Sequence, residues 1–187
     1  MRVLLINPFY PISETPSPPL GLAYLASALT AAGAEVKILD VVVFPYSQSM
    51  LKTLIEDFKP QVAGITAVTM TFDNAIGVLK DIKRIDPYIL TVMGGPHVSF
   101  CARETLNACP QLDIIVLGEG ERTIVELSWL RTTAAPGPAS MASPFAAVQK
   151  SALPQKENPS KTWMICHYPI AACCRWVATG HSGCRLV

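Results

Sequence analysis

The chain has 187 residues, half of them hydrophobic and 16% charged, with a formal net charge of +1. This composition allows one domain of ordinary size with a substantial core, plus some additional chain. No uninterrupted apolar run reaches the roughly 18 residues of a membrane helix, and the run that precedes Pro8 is too short for a signal peptide. Residues 1–130 carry no basic patch with interleaved aromatic residues. We therefore expect neither a membrane nor a nucleic acid as a partner.

Charge and periodicity divide the chain at about residue 130. Residues 1–130 hold nine Lys/Arg against thirteen Asp/Glu, whereas residues 131–187 hold six Lys/Arg against a single acid, Glu157. Beyond Leu130 the helical and strand periods are lost. We therefore predict a domain over residues 1–130 and an irregular or disordered tail over residues 131–187. A reading-frame shift or a mis-called gene end would explain the change, and a genuine but unrelated tail is the alternative.

Five apolar runs alternate with helical segments along residues 1–130, which is typical of βαβ units and a parallel sheet. With right-handed crossovers the simplest arrangement is an α/β, flavodoxin-like (Rossmann-like), doubly wound sheet of five strands in the order 2-1-3-4-5. The predicted strands are Val3–Asn7, Val36–Asp40, Val62–Thr66, Ile89–Met93 and Asp113–Leu117. The predicted helices are Leu20–Ala32, one capped by Ser47 or Ser49 and running to about Phe58, Asp73–Ile85, a short helical piece around Glu104–Ala108, and Arg122–Leu130.

The loop after the first strand is unusual in length and composition. It begins at Asn7 and Pro8 and carries five prolines between Pro8 and Pro19. Strand-to-helix loops usually have two to six residues, and longer ordered loops are more often functional. Because proline stiffens the backbone, we expect a shaped lid here, and a floppy surface loop is the alternative.

The loops after the third, fourth and fifth strands carry the other candidate site residues, because ligands bind at the carboxyl ends of strands in an open parallel sheet. Three hydroxyls follow the third strand, and they either bind a polar ligand or cap the next helix. Glycines after the other two strands permit positive φ and let a ligand approach the main chain. The candidates are Thr66, Thr69, Thr71, Gly94, Gly95, Pro96, His97, Gly118, Glu119, Gly120 and Glu121.

Several common users of this fold are excluded by missing residues. A dinucleotide domain needs G-x-G-x-x-G after the first strand, where this chain has Asn7-Pro8-Phe9, and the chain contains no GK[ST] for phosphates. A phospho-receiver domain would need paired acids after the first strand and an Asp after the third, where this chain has Thr66. The remaining features describe a wide cleft for a large, flat or branched ligand.

Three stretches in this order, NPFYP…PPLGLAYLASAL, MGGPHVSF and IIVLGEGERT, resemble the N-terminal cobalamin-binding domain of B12-dependent radical S-adenosylmethionine (SAM) enzymes. The resemblance covers about residues 1–130 and implies that the corrinoid cofactor cobalamin binds at the strand ends. It implies that Gly94-Gly95 accommodates the nucleotide tail. It also implies a radical SAM catalytic domain, for methyl transfer or ring formation, as a partner.

The resemblance leaves the roles of two kinds of side chain open. His97 either touches the corrin or cobalt, or hydrogen-bonds the backbone. Glu119 and Glu121 either accept hydrogen bonds from corrin amides, orient a partner domain, or stabilise the helix that starts at Arg122. No His lies between Asn7 and Gly21, so we expect no cobalt ligand from the first loop and no metal ligand elsewhere.

The cysteines set this chain apart from the complete radical SAM enzymes that it resembles. Their cluster needs C-x-x-x-C-x-x-C, and no three of the six cysteines here have that spacing, so we expect no iron–sulfur cluster on this chain. A catalytic barrel would need roughly 200 further residues. We therefore expect a cobalamin-binding module that is not catalytic alone. The alternative is a non-catalytic flavodoxin-like domain or gene remnant without cofactor. The scattered cysteines form no disulfide framework, which favours the cytoplasm.

Overall fold

The computed structural model describes residues 1–10, 17–133 and 163–166, which build one sheet with helices on both faces. Five parallel strands lie in the order β2-β1-β3-β4-β5, which confirms the predicted flavodoxin-like arrangement. A sixth strand, β6, pairs antiparallel with β5 at one edge. The strands are β1 Arg2–Asn7, β2 Glu35–Asp40, β3 Val62–Thr66, β4 Leu90–Gly94, β5 Ile114–Leu117 and β6 Trp163–Cys166.

The helices form two layers, each covering its own apolar core cluster. Helices α2, α3 and α4 cover one face of the sheet, and α1 and α5 cover the other. β1, β3 and β5 contribute buried residues to both clusters, as strands of a parallel sheet buried on both faces do. The helices are α1 Leu20–Ala31, α2 Gln48–Phe58, α3 Phe72–Ile85, α4 Pro96–Ala108 and α5 Glu121–Thr133, and a short 3-10 turn spans Thr69–Thr71. None of the described helices is long and apolar enough to cross a membrane.

The ends of α1 and α2 follow from local sequence signals. Gly33 has a φ of +84°, and the amides of Gly33 and Ala34 donate to the carbonyls of Thr30 and Leu29. This is the Schellman arrangement that a glycine after a helix favours. At the start of α2 the Ser47 hydroxyl accepts from the Met50 amide at 3.2 Å, so Ser47, one of the two predicted caps, is the N-cap.

Helix α4 is much longer than the predicted piece around Glu104–Ala108. It begins directly after β4, with Gly95 as N-cap and Pro96 in its first turn, where a missing N–H costs nothing. Cys101 has non-helical angles (φ −132°, ψ 37°) inside the helix. This kink interrupts the apolar periodicity, which explains why the sequence pattern reveals only the last part of the helix.

Strand β6 lies in the tail that we predicted to be irregular. Trp163–Cys166 pairs with β5, with Cys166 opposite Ile114 and Trp163 opposite Leu117. The free edge of β5 offers unpaired N–H and C=O groups that such a strand satisfies. Helix α5 also continues to Thr133, three residues past the predicted end. The rest of the predicted tail lies outside the described residues.

Candidate functional site

All five parallel strands end at one edge of the sheet, called here the carboxyl edge. The last residues of these strands and the loops and helix starts that follow them contain every candidate residue predicted from the sequence. Asn7 ends β1 and Pro8 follows it, while Thr66 ends β3 and is followed by Thr69 and Thr71. The Gly94–His97 run ends β4 and enters α4, and Gly118–Glu121 connects β5 to α5. This is the edge at which open α/β sheets bind ligands.

Asn7, Thr66 and Gly94 form a row across three adjacent strands. Thr66 pairs with Gly94, and Asn7 and Thr66 directly follow the pair Ile6–Ile65. The row lies on the face covered by α1 and α5, because Leu5 and Val92, two residues earlier in their strands, belong to that core cluster. A row of short side chains at the strand ends leaves space above the sheet on this face.

The three positions differ in what they offer a ligand. The Asn7 amide nitrogen donates to Asp40 Oδ1 at 2.9 Å, which ties β1 to β2. The half-buried Thr66 hydroxyl has no hydrogen-bond partner among the described residues. Among the described residues, a Cβ added to Gly94 would come within 4 Å of the Val116 carbonyl oxygen alone, at 3.7 Å. Thr66 and Gly94 therefore form the open part of the row.

Gly95 is required by the chain itself and not only by a ligand. Its φ is +103°, and an added Cβ would lie 2.7 Å from the Ala67 carbonyl oxygen and 2.9 Å from Thr66 Oγ1. The β3 and β4 loops touch here, and the His97 amide donates to the same Ala67 oxygen at 3.1 Å. Pro96 follows as an exposed residue of α4. The glycine pair thus serves two purposes, with space at Gly94 and close backbone packing at Gly95.

The three threonines have separate roles. Thr71 is buried, and its hydroxyl accepts from the Val68 amide at 3.1 Å and lies 3.2 Å from the Val68 carbonyl oxygen. Its polar capacity is used locally, which favours the capping alternative over a ligand role. Exposed Thr69 instead places its hydroxyl 3.2 Å from Nδ1 of His97. The His97 imidazole thus has a side-chain partner, Thr69, and not the backbone partner that was one of the alternatives for this residue.

The loop between β5 and α5 combines open glycines with two acids. Gly118 has a φ of +71°, and no atom of the described residues lies within 4 Å of an added Cβ. A Cβ on Gly120 would instead meet Leu25 Cδ2 at 3.3 Å. The Gly120 carbonyl accepts the first helical bond, from the Ile124 amide at 2.8 Å. Glu121 lies in the first turn of α5, where an acid stabilises the positive end of the helix. Glu119 is exposed beside it.

An apolar rim surrounds the carboxyl edge. It is formed by exposed side chains from the loops after β1, β2 and β3 and from α4, with Phe44 60% and Phe100 90% exposed. The Asn74 side chain donates to the Phe9 carbonyl at 3.0 Å, and the Tyr10 hydroxyl lies 3.6 Å from Met70 Sδ. These contacts hold the described start of the proline-rich loop against the start of α3 and the turn that precedes it. The rim consists of Phe9, Val43, Phe44, Val68, Met70 and Phe100.

Metal-binding clusters and side chains with a shifted pKa are considered next to the candidate residues. In the described part of the chain, no three His, Cys, Asp or Glu residues come together to hold a metal ion. The pKa of Tyr46 is raised well above its ordinary value by burial and by its hydrogen bond to Asp81, so this phenol stays neutral. Burial also raises the pKa of the Cys109 thiol. Neither residue is a candidate site residue, and Cys109, which follows α4 and precedes β5, lies at the opposite end of the sheet.

Sequence reasoning missed two features of the edge. The pairing of His97 with Thr69 joins residues 28 positions apart, and Phe72 contacts the same imidazole at a centroid distance of 4.2 Å. No local pattern encodes such a meeting. The apolar rim was visible as hydrophobic residues in loops, but their exposure becomes evident only once the strands have been placed.

The sheet and its two helix layers define a flavodoxin-like α/β domain. The family model of the B12 binding domain matches residues 13–128. The chain therefore belongs to the B12-binding domain family, and cobalamin is the cofactor of that family.

The chain is similar to three known proteins. It is 40% identical over 132 residues to an uncharacterized methyltransferase of Pyrococcus horikoshii, covering 68% of this chain and 28% of the relative. It is 36% identical to the anaerobic magnesium-protoporphyrin IX monomethyl ester cyclase of Rubrivivax gelatinosus, covering 68% and 24%. The radical SAM methyltransferase TsrM from Kitasatospora setae has the same fold, with a TM-score of 0.62 at 23% identity, covering 70% and 26%. The chain spans about a quarter of the length of these relatives.

Two observations indicate that the residues at the carboxyl edge fit cobalamin. Gly94 leaves room at the end of β4, and the Thr66 hydroxyl beside it has no partner among the described residues. A cofactor with many peripheral carboxamides can supply the missing partner, and the apolar rim suits the flat faces of a corrin ring.

Proposed function

We propose that this chain is the cobalamin-holding module of a B12-dependent radical SAM-type protein, with the corrinoid across the carboxyl edge. The family match over residues 13–128 carries this proposal, because it spans α1 to α5 and includes the open row at Thr66 and Gly94. When bound, cobalamin supplies a redox-active cobalt ion. The residues of this chain supply space, hydrogen bonds and a fixed orientation.

The proposed contacts assign a role to each part of the edge. Thr66 donates its hydroxyl to the cofactor, and Gly94 leaves the space that the nucleotide tail enters. Thr69 and His97 lie on the opposite side of the strand ends, and Glu119 and Glu121 border the cleft next to α5. Thr71 is excluded from this set because Val68 already occupies its hydroxyl. The proposed cofactor-contacting residues are Asn7, Pro8, Thr66, Thr69, Gly94, Gly95, Pro96, His97, Gly118, Glu119, Gly120 and Glu121.

A catalytic radical SAM domain is the proposed partner. The apolar rim supports this, since exposed apolar side chains around a ligand site mark a surface that another domain covers. The relatives' greater length agrees with such a domain, because this chain spans 28% of the Pyrococcus methyltransferase. Methyl transfer or ring formation would take place in that domain, and the substrate would be bound there. The free thiols of Cys101 and Cys109 are compatible with a cytoplasmic location.

Cobalamin binding is tested directly with the full chain and hydroxocobalamin. We expect about one equivalent to remain after desalting, with an absorbance spectrum shifted from that of the free cofactor. Gly94→Leu should abolish this retention, because the new side chain enters the space above the sheet.

Gly77→Leu is the matched control for this substitution. Gly77 lies on the exposed side of α3, and no atom lies within 4 Å of an added Cβ. This variant should bind like the original chain, and both variants should keep a cooperative thermal transition. A folded chain that retains no cobalamin would contradict the proposal. If Gly94→Leu retains cobalamin fully, the cofactor does not bind at the end of β4.

A further inference from the structure

His97 lies in the first turn of α4, and three contacts fix its position. Its backbone amide donates to the Ala67 carbonyl at 3.1 Å. Its ring nitrogen Nδ1 lies 3.2 Å from Thr69 Oγ1. Its ring lies against Phe72, with centroids 4.2 Å apart and planes inclined by 36°. The imidazole is therefore held between α4 and the turn after β3.

These contacts leave Nε2 as the available ring nitrogen. A neutral imidazole has one donor and one acceptor nitrogen. If Nδ1 donates to Thr69, Nε2 is an acceptor, and if the Thr69 hydroxyl donates to Nδ1, Nε2 carries the hydrogen. In both cases Nε2 has no hydrogen-bond partner within the part of the chain that the structure describes. The ring is thus oriented without its second nitrogen being used.

The surroundings of the ring favour a polar ligand group over water. Val68 and Met70, the neighbours of Thr69, are exposed apolar residues of the rim. Once a corrin ring covers this rim, water is displaced from it. A hydrogen bond in such a setting is stronger, and an unsatisfied nitrogen there is more costly.

We propose that His97 Nε2 hydrogen-bonds a peripheral carboxamide of the corrin ring and does not coordinate cobalt. A carboxamide has both an N–H donor and a C=O acceptor, so it can match either tautomer of the imidazole. The inference rests on the proposed function, since it requires bound cobalamin. Beyond that function, it specifies which atom of the chain contacts which group of the cofactor.

His97 lies on the opposite side of the strand ends from the row at Thr66 and Gly94. Phe72, which contacts the imidazole, packs against the core cluster under α2, α3 and α4. The row at Thr66 and Gly94 lies on the α1 and α5 face. If that row holds the nucleotide tail, His97 therefore meets the corrin ring and not the tail.

The experiment compares His97→Ala, His97→Gln and Thr69→Val with the original chain, using both cobalamin and cobinamide as ligands. Cobinamide keeps the corrin carboxamides but lacks the nucleotide tail. We expect His97→Ala to weaken binding of both ligands about fivefold to tenfold, the loss expected for one net hydrogen bond. His97→Gln should restore most of it, because its amide can donate and accept. Thr69→Val should give a smaller loss by freeing the ring.

A control on the same helix and a spectroscopic readout complete the design. Glu104→Ala changes an exposed residue of α4 and should bind both ligands normally. The Co(II) electron paramagnetic resonance spectrum of the bound cofactor should be the same in His97→Ala and the original chain, since no coordinating nitrogen is removed.

Three outcomes would overturn the inference. Undiminished binding of cobalamin by His97→Ala would show that the proposed hydrogen bond is not made. A loss confined to cobalamin would assign His97 to the nucleotide tail. Nitrogen splitting that disappears in His97→Ala would make the imidazole a cobalt ligand. Each leaves cobalamin binding by the original chain intact, so failure of the inference differs from failure of the proposed function, in which the original chain binds nothing.

Discussion

Gly94 and Gly95 are adjacent residues under different physical constraints. Gly94 ends β4 with ordinary strand pairing to Thr66, and its missing side chain leaves open space. Gly95 adopts a φ of +103° against the backbone of Ala67, a conformation that L-residues with a side chain rarely adopt. The sequence predicted that both glycines serve a ligand. Only the placement of the neighbouring loop reveals that Gly95 is needed for folding as well.

Replacing Gly95 tests this assignment. We expect Gly95→Ala to lower the free energy of unfolding by about 2–4 kcal/mol, because positive φ and a Cβ 2.7 Å from a carbonyl oxygen both destabilise the folded state. Urea unfolding of the cofactor-free chain measures the change. Gly77→Ala in exposed α3 is the control, and it should stabilise by up to about 1 kcal/mol because alanine favours helix. If the Gly95→Ala variant is as stable as the original chain, a side chain at position 95 is not strained.

At the level of elements, a buried ion pair joins α3 to β4 and β5 at the end of the sheet opposite the site. Lys83 Nζ lies 2.6 Å from Asp113 Oδ2 and 2.8 Å from the Ile89 carbonyl oxygen. The same carboxylate accepts from the amide and the hydroxyl of Thr91, both at 2.8 Å. Asp113 is 5% exposed. One carboxylate therefore satisfies donors from two other elements.

Removal of this carboxylate should be costly. We expect Asp113→Ala to destabilise the chain by about 2–4 kcal/mol, because Lys83 loses its anionic partner and the buried Thr91 amide loses its acceptor. Lys52→Ala removes an exposed pair with Glu56, 3.7 Å apart on α2, and should change stability by less than about 0.5 kcal/mol. Chemical denaturation compares the two variants. A loss below about 1 kcal/mol for Asp113→Ala would contradict the network.

Helices and strands with regular periodicity were predictable from the sequence, whereas interrupted ones were not. α3 is amphipathic, with Leu79 and Ile82 buried, and its observed start at Phe72 differs from the prediction by one residue. α4 contains the kink at Cys101, so its first half lacks the expected spacing. At the site, the strand ends were predicted because parallel strands end together. The contact between His97 and Thr69 depends on how two loops meet, which residue spacing does not encode.

For the whole molecule, the division of the chain by composition does not coincide with the limits of the sheet. Residues beyond Leu130 differ in charge and cysteine content from those before, yet Trp163–Cys166 adds a strand to β5. A composition change predicts where regular patterning ends, and a four-residue strand is too short to produce a detectable pattern. We propose that β6 protects the apolar edge of β5, where Ile114, Ile115 and Val116 are all buried, from pairing with other chains.

Deletion of residues 163–187 tests this protection. The shortened chain exposes the backbone edge of β5, so we expect self-association that increases with concentration and a melting temperature lower by about 5 °C. Size-exclusion chromatography with light scattering and a thermal melt measure both effects. Met164→Pro combined with Ile165→Pro is the matched variant without truncation, because one of these two adjacent N–H groups faces β5 and proline removes it. It should reproduce both effects. If the double-proline variant stays monomeric and melts like the original chain, β6 does not protect the edge.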